Sequence, residues 1–476
     1  MIKLSWIGRK RCIITAEFFF GCFFSVRSEF RLLNEKCGDS GVLQDVFFGV
    51  GYLKRLFSMT EIPSENLSEV LFKPHRSSLE TSYISNSVET LPPKNDGTPR
   101  RWYREIERDY WGWMGLDILE IQKVLSDISG SENGRTREGI LDTVYEYGSG
   151  NWVYEFSMLA EKHAKIAKAC EDAPDSPERR EEAFIHFRRA YLCYALASYP
   201  HLKGDEMASH ALMMNHVNYK KAVSYQDGFF EIVKFKTESG VGTAYIHTPD
   251  KTKCLPGVII CGNYVSLATE YLRFYREYLY PRGIAMVTLD LPGMGMNSNI
   301  VLDANTSILH EGVLNYIKEN VPYINRGRIG LIALNFGCHC ALRLMLSHNS
   351  DIRAVCMVAP IINDVFLDVE MLKLASPMQR AGLCNRIGAD AKDWENLIPR
   401  LQVFSAKRSG LLTGMKVDTP LLVIGASGDT ICSVNDAMMV KSISTNSEYL
   451  EMKEKTAFSL YTKVLSQLTD WIEERL

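Results

Sequence analysis

A short segment around residue 335 has the layout of a nucleophile-bearing turn, but its central residue is an amide. The apolar run RIGLIAL predicts a buried strand, the following CHCALRLML predicts a helix, and Asn335, Phe336 and Gly337 join the two. Acyl-transfer enzymes use such a corner, usually within G-x-S-x-G, to hold a serine above a sheet. A carboxamide nitrogen has a delocalised lone pair and loses no proton near neutral pH, so Asn335 cannot attack an ester carbonyl. The corner predicts the place of a catalytic site without its usual nucleophile.

The acid and the base of such a site have one candidate each. Asp429 follows the run PLLVIGAS, where the acid of a triad is expected, and a turn aspartate that caps the next segment is the alternative. His310 lies among apolar residues at helical spacing, which favours a core or boundary position over acid or base duty near a pocket. A triad histidine should follow the last strand, yet His348 is the last histidine of the chain. No Ser, His, Asp order can therefore be assembled.

Backbone N–H groups can form an oxyanion hole whatever the side chains are. Phe336 follows the corner, and Asn263 and Tyr264 follow the run GVIICG, so these three residues are the candidate donors. Asp290 opens the turn DLPGMG after the next run and is a further candidate catalytic residue. This turn fails as a dinucleotide fingerprint, because it has two glycines, lacks the third and has no clear helix start behind it.

The cysteines indicate neither a metal site nor a disulfide framework. The chain has 12 of them without a CxxC pair, which favours buried, reduced thiols in a cytosolic protein. Cys338 lies in the first turn of the predicted helix, where the dipole could lower the pKa of a thiol, but it lies three residues past the corner and is expected to face the sheet. We predict no metal and no cofactor.

Two regions of different periodicity must position these residues. From about residue 67 to 225, apolar residues recur at spacings of three and four, which predicts helices with their tryptophans in a core. From 228 onward, eight β-branched or aromatic runs alternate with helical stretches: FFEIVKF, TAYIHT, GVIICG, GIAMVTLDL, RIGLIAL, IRAVCMVAP, PLLVIGAS and EYLEM. The middle runs are apolar throughout, which predicts a mostly parallel eight-stranded sheet covered on both faces, with ligands at the carboxyl ends of its strands.

The same pattern predicts the domain organisation. We expect a helical N-terminal cap domain over 59–226 and an α/β-hydrolase domain over 227–476, with a helical insertion near 361–418. Residues 1–58 differ from both, since basic residues precede the mostly apolar CIITAEFFFGCFFSV, which is shorter than the ~18 to 20 residues of a membrane span and lacks a signal-peptide cleavage site. We interpret them as a non-native leader or a disordered extension, with Met59 as the biological start; a membrane-surface anchor and a secretion signal are the alternatives.

The charge balance argues against polyanionic partners. With 54 Lys and Arg against 57 Asp and Glu, the net charge is −3. A chain of this balance has no broad basic surface, so we expect neither a nucleic acid nor a membrane as partner.

Several long segments resemble, in order along the chain, the FrsA family, the fermentation-respiration switch proteins of enteric and marine bacteria. They are NLSEVLFKP, WYREIERDYWGW, LDTVYEYGSGNWVYE, ASYPHLKGD, RGIAMVTLDLPGMG, LHEGVLNYI, NVPYI, LNFG and LTDWIEERL. The resemblance covers about residues 66 to 476. It implies an α/β-hydrolase fold with a helical N-terminal region, carboxylic-ester hydrolase activity in the cytoplasm, and association with the unphosphorylated glucose-specific enzyme IIA of the phosphotransferase system.

The resemblance also bears on individual residues. The family has arginine at the centre of the corner, in G-F-R-F-G, so Asn335 departs from it, and Val265 stands where the family has an aspartate after the third strand. The positions that match the family are Tyr199, His201, Asp290, His310 and Asp429.

Two functions stay open at this point. The first is a weak esterase for small esters, with a water or an atypical base near His310 and Asp429. Loss of a triad can leave about 10³ to 10⁴ of acceleration from substrate binding and the oxyanion hole. The second is a catalytically inactive hydrolase scaffold that binds enzyme IIA, which the amide at Asn335 and the histidine-free C-terminus favour.

Overall fold

The described part of the chain falls into two units. In this computed structural model it comprises residues 2–6, 12–16 and 101–476, except 370–371, 373–374, 392–393, 413, 427–431 and 453–456. In the first unit, Met1–His75, strands β1 (Ile2–Trp6) and β2 (Cys12–Ala16) pair antiparallel. The rest of the predicted extension over 1–58, together with Met59, lies outside the described residues. The second unit, Arg76–Leu476, contains everything that follows.

Five helices precede the large sheet in the described chain. They are α1 (Arg108–Met114), α2 (Ile118–Ser129), α3 (Trp152–Glu171), α4 (Pro177–Ser198) and α5 (Glu206–Val223). The start of α4 shows why the sequence folds this way, because the Ser176 hydroxyl accepts a hydrogen bond from the N–H of Arg179 and Pro177 occupies the first turn. Trp111 and Trp152 are buried between the helices, as the periodicity predicts.

The second unit contains the predicted eight-stranded, mostly parallel sheet. Its strands are β3 (Phe229–Thr237), β4 (Gly240–Thr248), β5 (Leu255–Cys261), β6 (Ala285–Thr288), β7 (Ile324–Leu334), β8 (Ala354–Val358), β9 (Leu421–Ala426) and β10 (Ser447–Met452). They lie side by side in the order β10-β9-β8-β7-β5-β6-β4-β3. The pairings of β3 with β4 and of β4 with β6 are antiparallel, and the others are parallel.

The two faces of the sheet pack against different helices, because successive side chains of a strand point to opposite faces. On β7, Leu331 and Ala333 join one apolar cluster with α6 (Ile308–Asn320), α7 (Gly337–Ser347) and α11 (Val434–Lys441). Ile332 joins the other cluster. That cluster contains residues of α1 to α5, of α12 (Ala457–Glu473) and of a helical segment of mixed type over 268–282.

Within the described residues, the stretch between β8 and β9 carries three further α-helices. They are α8 (Asp364–Leu367), α9 (Pro377–Arg386) and α10 (Trp394–Leu401). Helix α9 extends toward the helical region, since the side chain of Asn385 pairs with the backbone N–H and carbonyl of Lys203. Among the described helices, none combines the length and the apolar composition that crossing a bilayer would need.

Candidate active site

The turn between β7 and α7 has the geometry of a nucleophile elbow. Asn335 adopts a left-handed backbone conformation with φ of 49°, a conformation that costs a non-glycine residue energy and recurs at functional sites. Gly337 makes the tight corner possible, because a Cβ atom there would lie 2.0 Å from the carbonyl oxygen of Cys261. The carboxamide of Asn335 donates from Nδ2 to the carbonyl of Ala359 at 3.4 Å and to Sγ of Cys432 at 3.5 Å.

A cavity of about 390 Å³ opens beside this turn, at the carboxyl edge of the sheet. Its walls come from five places: the segment around α1, the end of α4, the end of β5 with the loop and helical segment after it, the ends of β7 to β10, and α12. The described residues that line it are Glu107, Tyr110, Trp111, Trp113, Met114, Ala195, Leu196, Tyr199, His201, Ile260, Asn263, Val265, Ser266, Glu270, Tyr271, Phe274, Ile332, Leu334, Asn335, Val358, Ala359, Ala426, Met452, Val464 and Leu465.

Glu270 places a buried carboxyl in the wall of the cavity. Its Oε1 accepts a hydrogen bond from the N–H of Leu267 at 2.9 Å, and its Oε2 accepts one from the hydroxyl of Tyr110 at 3.2 Å. Burial outweighs these two bonds and raises the pKa of the carboxyl to about 8, with repulsion from Glu107 and Asp290 adding to the shift. Glu270 is therefore mostly protonated at neutral pH and can donate a proton.

Glu107, at the start of α1, is the second carboxyl of the cavity. The residue is exposed, and its side chain lines the cavity. The protein atoms around the carboxyl, and next the repulsion from Glu105, raise the pKa of Glu107 to about 7. A carboxyl with this pKa is about half ionised at neutral pH, which is the condition that suits a general base.

His201 presents an imidazole to the same cavity from the turn after α4. Its Nδ1 lies 2.8 Å from Oγ of Ser198, whose hydroxyl donates to the carbonyl of Ala195. Nδ1 then carries the proton, and the basic Nε2 lies 3.9 Å from Oε1 of Glu270. Burial, and next the positive charge of Arg386, lower the pKa of His201 well below its usual value. The imidazole is therefore neutral.

Two buried arginines hold the backbone of this turn. Arg386 donates to the carbonyls of Pro200 at 2.7 Å, His201 at 3.0 Å and Tyr264 at 3.2 Å. Arg104 donates to the carbonyl of Tyr199 at 2.8 Å. Three successive carbonyls from residue 199 to 201 thus point at guanidinium groups. This arrangement ties the helical region to the loop after β5 and fixes where His201 enters the cavity.

The predicted oxyanion donors differ in what their N–H groups do. The N–H of Tyr264 donates to the side-chain Oδ1 of Asn263 at 2.8 Å. The backbone of Asn263 forms a hydrogen bond with the hydroxyl of Tyr271, which acts to lower the pKa of that phenol. Phe336 is the remaining candidate, at the first position past the elbow. Asn263 lines the cavity, whereas the rings of Phe336 and Tyr264 pack against each other with centroids 5.8 Å apart.

Two of the predicted catalytic residues, His310 and Asp290, lie in the core and do not line the cavity. His310 is fully buried on α6, outside the set of described lining residues, and burial lowers the pKa of its imidazole to about 4. Asp290 is also buried and holds its turn by accepting from the N–H groups of Ala268 at 2.7 Å and Met296 at 2.9 Å. Asp429 lies outside the described residues. The structure therefore brings Asn335 and Asn263 to the cavity and leaves His310 and Asp290 in the core.

Sequence reasoning missed Glu107 and Glu270. Glu107 lies in the aromatic segment WYREIERDYWGW, whose periodicity indicated only a core, although Tyr110, Trp111 and Trp113 also line the cavity. Glu270 lies seven residues after Asn263, in the region that follows β5, where a ligand is expected. Its position after β5 is the sequence feature that indicates Glu270 as a candidate site residue. Across the described chain, no group of three His, Cys, Asp or Glu side chains is arranged to hold a metal ion.

Comparison with known proteins shows one family and one fold. The model of the "Esterase FrsA-like" family matches residues 62–476. The esterase FrsA of Vibrio cholerae is 31% identical over 422 residues, which span 88% of this chain and 100% of the relative. The esterase FrsA of Escherichia coli is 34% identical over 419 residues, 86% of this chain and 99% of the relative.

Two solved structures share the fold. The 2,6-dihydroxy-pseudo-oxynicotine hydrolase superposes with a TM-score of 0.62 at 16% identity, over 77% of this chain and 95% of its own. AbyA5 superposes with a TM-score of 0.56 at 16% identity, over 75% of this chain and 94% of its own.

Proposed function

Because the chain belongs to the FrsA-like esterase family, we propose that it hydrolyses a carboxylic ester in the cavity beside Asn335, with water as the attacking group. One observation carries this proposal: the cavity joins the elbow to two carboxyl groups, Glu107 and Glu270, whose pKa values are raised toward neutrality. Membership of this family and the α/β-hydrolase fold favour a hydrolase over the catalytically inactive scaffold that the sequence left open.

A covalent route lacks an activated nucleophile among the described residues. Ser266 lines the cavity, but within the described chain no hydrogen bond links its hydroxyl to an imidazole or a carboxylate. Ser198 contacts His201, but it is fully buried and orients the imidazole. Burial raises the pKa of the Cys338 thiol well above its usual value, so this thiol stays protonated. A water molecule is the remaining attacking group.

The proposed reaction assigns one step to each carboxyl. Ionised Glu107 takes a proton from water while the water oxygen bonds to the carbonyl carbon of the ester. The resulting oxyanion accepts hydrogen bonds from the N–H of Phe336 and the Nδ2 of Asn335, whose present bonds are long and readily exchanged. The carbon–oxygen bond to the alcohol then breaks, and protonated Glu270 gives its proton to the leaving alkoxide. Acid and alcohol leave, Glu107 releases its proton to solvent, and Glu270 takes up a proton from solvent, which restores both carboxyl groups.

The pH dependence of kcat/KM tests this assignment. Activity requires Glu107 ionised and Glu270 protonated, so we expect a bell-shaped profile with an acidic limb near pH 7 and a basic limb near pH 8. Glu270→Gln keeps acceptor and donor atoms but cannot lose a proton, and we expect it to remove the basic limb and slow turnover. The measurement is hydrolysis of an activated aryl ester between pH 5 and pH 10.

The stability of the folded chain provides an independent readout of the same pKa shift. The folded state holds a proton on Glu270 up to about pH 8, whereas an unfolded glutamate releases it near its ordinary value of 4.5. The folded state therefore binds more protons in this window, and its stability falls as the pH rises through it. Glu270→Gln should flatten that fall. In the pH profile of kcat/KM, a basic limb that persists in Glu270→Gln would contradict the catalytic role of Glu270.

The association with glucose-specific enzyme IIA and the cytoplasmic location remain proposals that rest on the family resemblance. We propose that the unphosphorylated subunit is preferred, as a fermentation-respiration switch requires. Pull-down with the purified phosphorylated and unphosphorylated subunit tests this preference, and equal capture of the two forms would rule out a switch.

A further inference from the structure

The lining of the cavity combines polar and apolar side chains. We call the part that Glu107, Glu270 and His201 line its polar end. We call the part that Ile332 and Leu465 line its apolar end, since Ile332 belongs to the apolar cluster on the sheet face that α12 covers and Leu465 packs against that cluster. An apolar recess with convergent polar groups at one end is the usual form of a small-molecule site.

The apolar end extends back from the elbow along the strands. Ile332 lies three residues before Asn335 on β7, and at about 3.3 Å per residue its Cα is roughly 10 Å from that of Asn335. Ile260 of β5 pairs with Ile332 and projects from the same face of the sheet. Together the two side chains form the floor of the recess, at a depth that an extended chain of several carbons would span.

The walls of this recess are apolar and incompletely packed. Leu334, Val464 and Leu465 contact the apolar cluster of this face but remain partly accessible. Apolar side chains that line a cavity without filling it favour an apolar guest over water, since water there would find few polar partners. Among the described lining residues of the whole cavity, none is Lys or Arg. A carboxylate or phosphate on the guest would meet no cation among these residues and would be repelled by Glu107.

We infer that the substrate is an ester of an uncharged, medium-chain acyl group, and that the acyl chain occupies this recess with its carbonyl at Asn335. The inference rests on the proposed function for the reaction at the polar end. The acyl chain lies between the floor of Ile260 and Ile332 and the wall that α12 supplies through Leu465. The length of the recess sets the preference among acyl groups.

Binding of non-hydrolysed amides tests the recess apart from catalysis. Titration calorimetry should show that octanamide binds at least about tenfold more tightly than acetamide, because its extra methylene groups leave water. Leu465→Trp should weaken octanamide binding about tenfold, with a smaller effect on acetamide. Gln467→Trp, on the exposed side of the same helix, is the matched control and should change neither affinity. In hydrolysis, Leu465→Trp should lower kcat/KM for p-nitrophenyl octanoate far more than for the acetate.

The outcomes separate this inference from the proposed function. Equal affinity for the two amides, or octanamide binding that Leu465→Trp leaves intact, would refute the inference that the acyl chain occupies the recess. Tight octanamide binding without hydrolysis of any ester would keep the recess and refute the hydrolase. Hydrolysis of esters without a preference for acyl-chain length would support the proposed hydrolase and refute the recess. If Leu465→Trp fails to fold, Leu465→Ala replaces it: a deeper recess should shift the preference toward longer acyl chains, and an unchanged preference would count against the recess.

Discussion

Glu107→Gln should lower kcat/KM for ester hydrolysis by about 10² to 10⁴-fold, the usual contribution of a general base. The amide is nearly isosteric with the carboxyl and cannot accept a proton from water, so the fold and the cavity should stay intact. The acidic limb of the pH profile near pH 7 should vanish, because it reports the ionisation of this one group. Steady-state hydrolysis of an aryl ester across the pH range measures both effects.

Two variants provide controls for this prediction. Glu105→Gln removes the charge that helps to raise the pKa of Glu107, so it should keep most of the activity and move the acidic limb to lower pH. Ser266→Ala removes a cavity hydroxyl that we assign no catalytic step, and should leave kcat/KM within a few-fold. Full activity in Glu107→Gln, or its loss in Ser266→Ala, would show that the attacking group has been misassigned.

The sheet could be predicted from the sequence because its signal is local. Each predicted run coincides with one strand from β3 to β10. The middle runs are the clearest, since a strand buried on both faces needs an unbroken apolar run. The elbow could be located for the same reason: Asn335, Phe336 and Gly337 are adjacent in the chain. The start of α4 is also set by local sequence, since Ser176 caps the helix and Pro177 occupies its first turn.

The carboxyl pair could not be predicted in the same way, because its chemistry arises from the burial of distant segments. Glu107 and Glu270 are 163 positions apart, and nothing within either segment distinguishes them from surface glutamates. The pKa of Glu270 rises because the folded chain buries it, and the hydroxyl of Tyr110 reaches Glu270 only in the folded state. The pKa of Glu107 rises because the fold brings protein atoms and the charge of Glu105 around its carboxyl. The N–H of Tyr264, a predicted oxyanion donor, donates in the folded chain to the side chain of its neighbour Asn263.

Arg386→Met should be the most destabilising substitution considered for this chain. Methionine fills a similar volume but leaves the buried carbonyls of Pro200, His201 and Tyr264 without their donor, and each such loss costs about 1 to 3 kcal/mol. It also removes the positive charge that favours ionised Asp290. We expect the free energy of unfolding to fall by about 3 to 5 kcal/mol, as when one partner of a buried charged network is removed.

Arg380→Met, on the same helix α9, is the matched control. Arg380 is partly exposed, with its guanidinium 5.4 Å from the ring centroid of Trp394, and an exposed cation–π contact contributes about 0.5 to 1 kcal/mol. Urea unfolding of both variants at pH 7 gives the comparison. Arg386→Lys should recover part of the loss, since an ammonium restores the charge but cannot span three carbonyls as the planar guanidinium does. Equal stability of Arg386→Met and Arg380→Met would contradict the assignment of Arg386 as the residue that holds the His201 turn against the loop after β5.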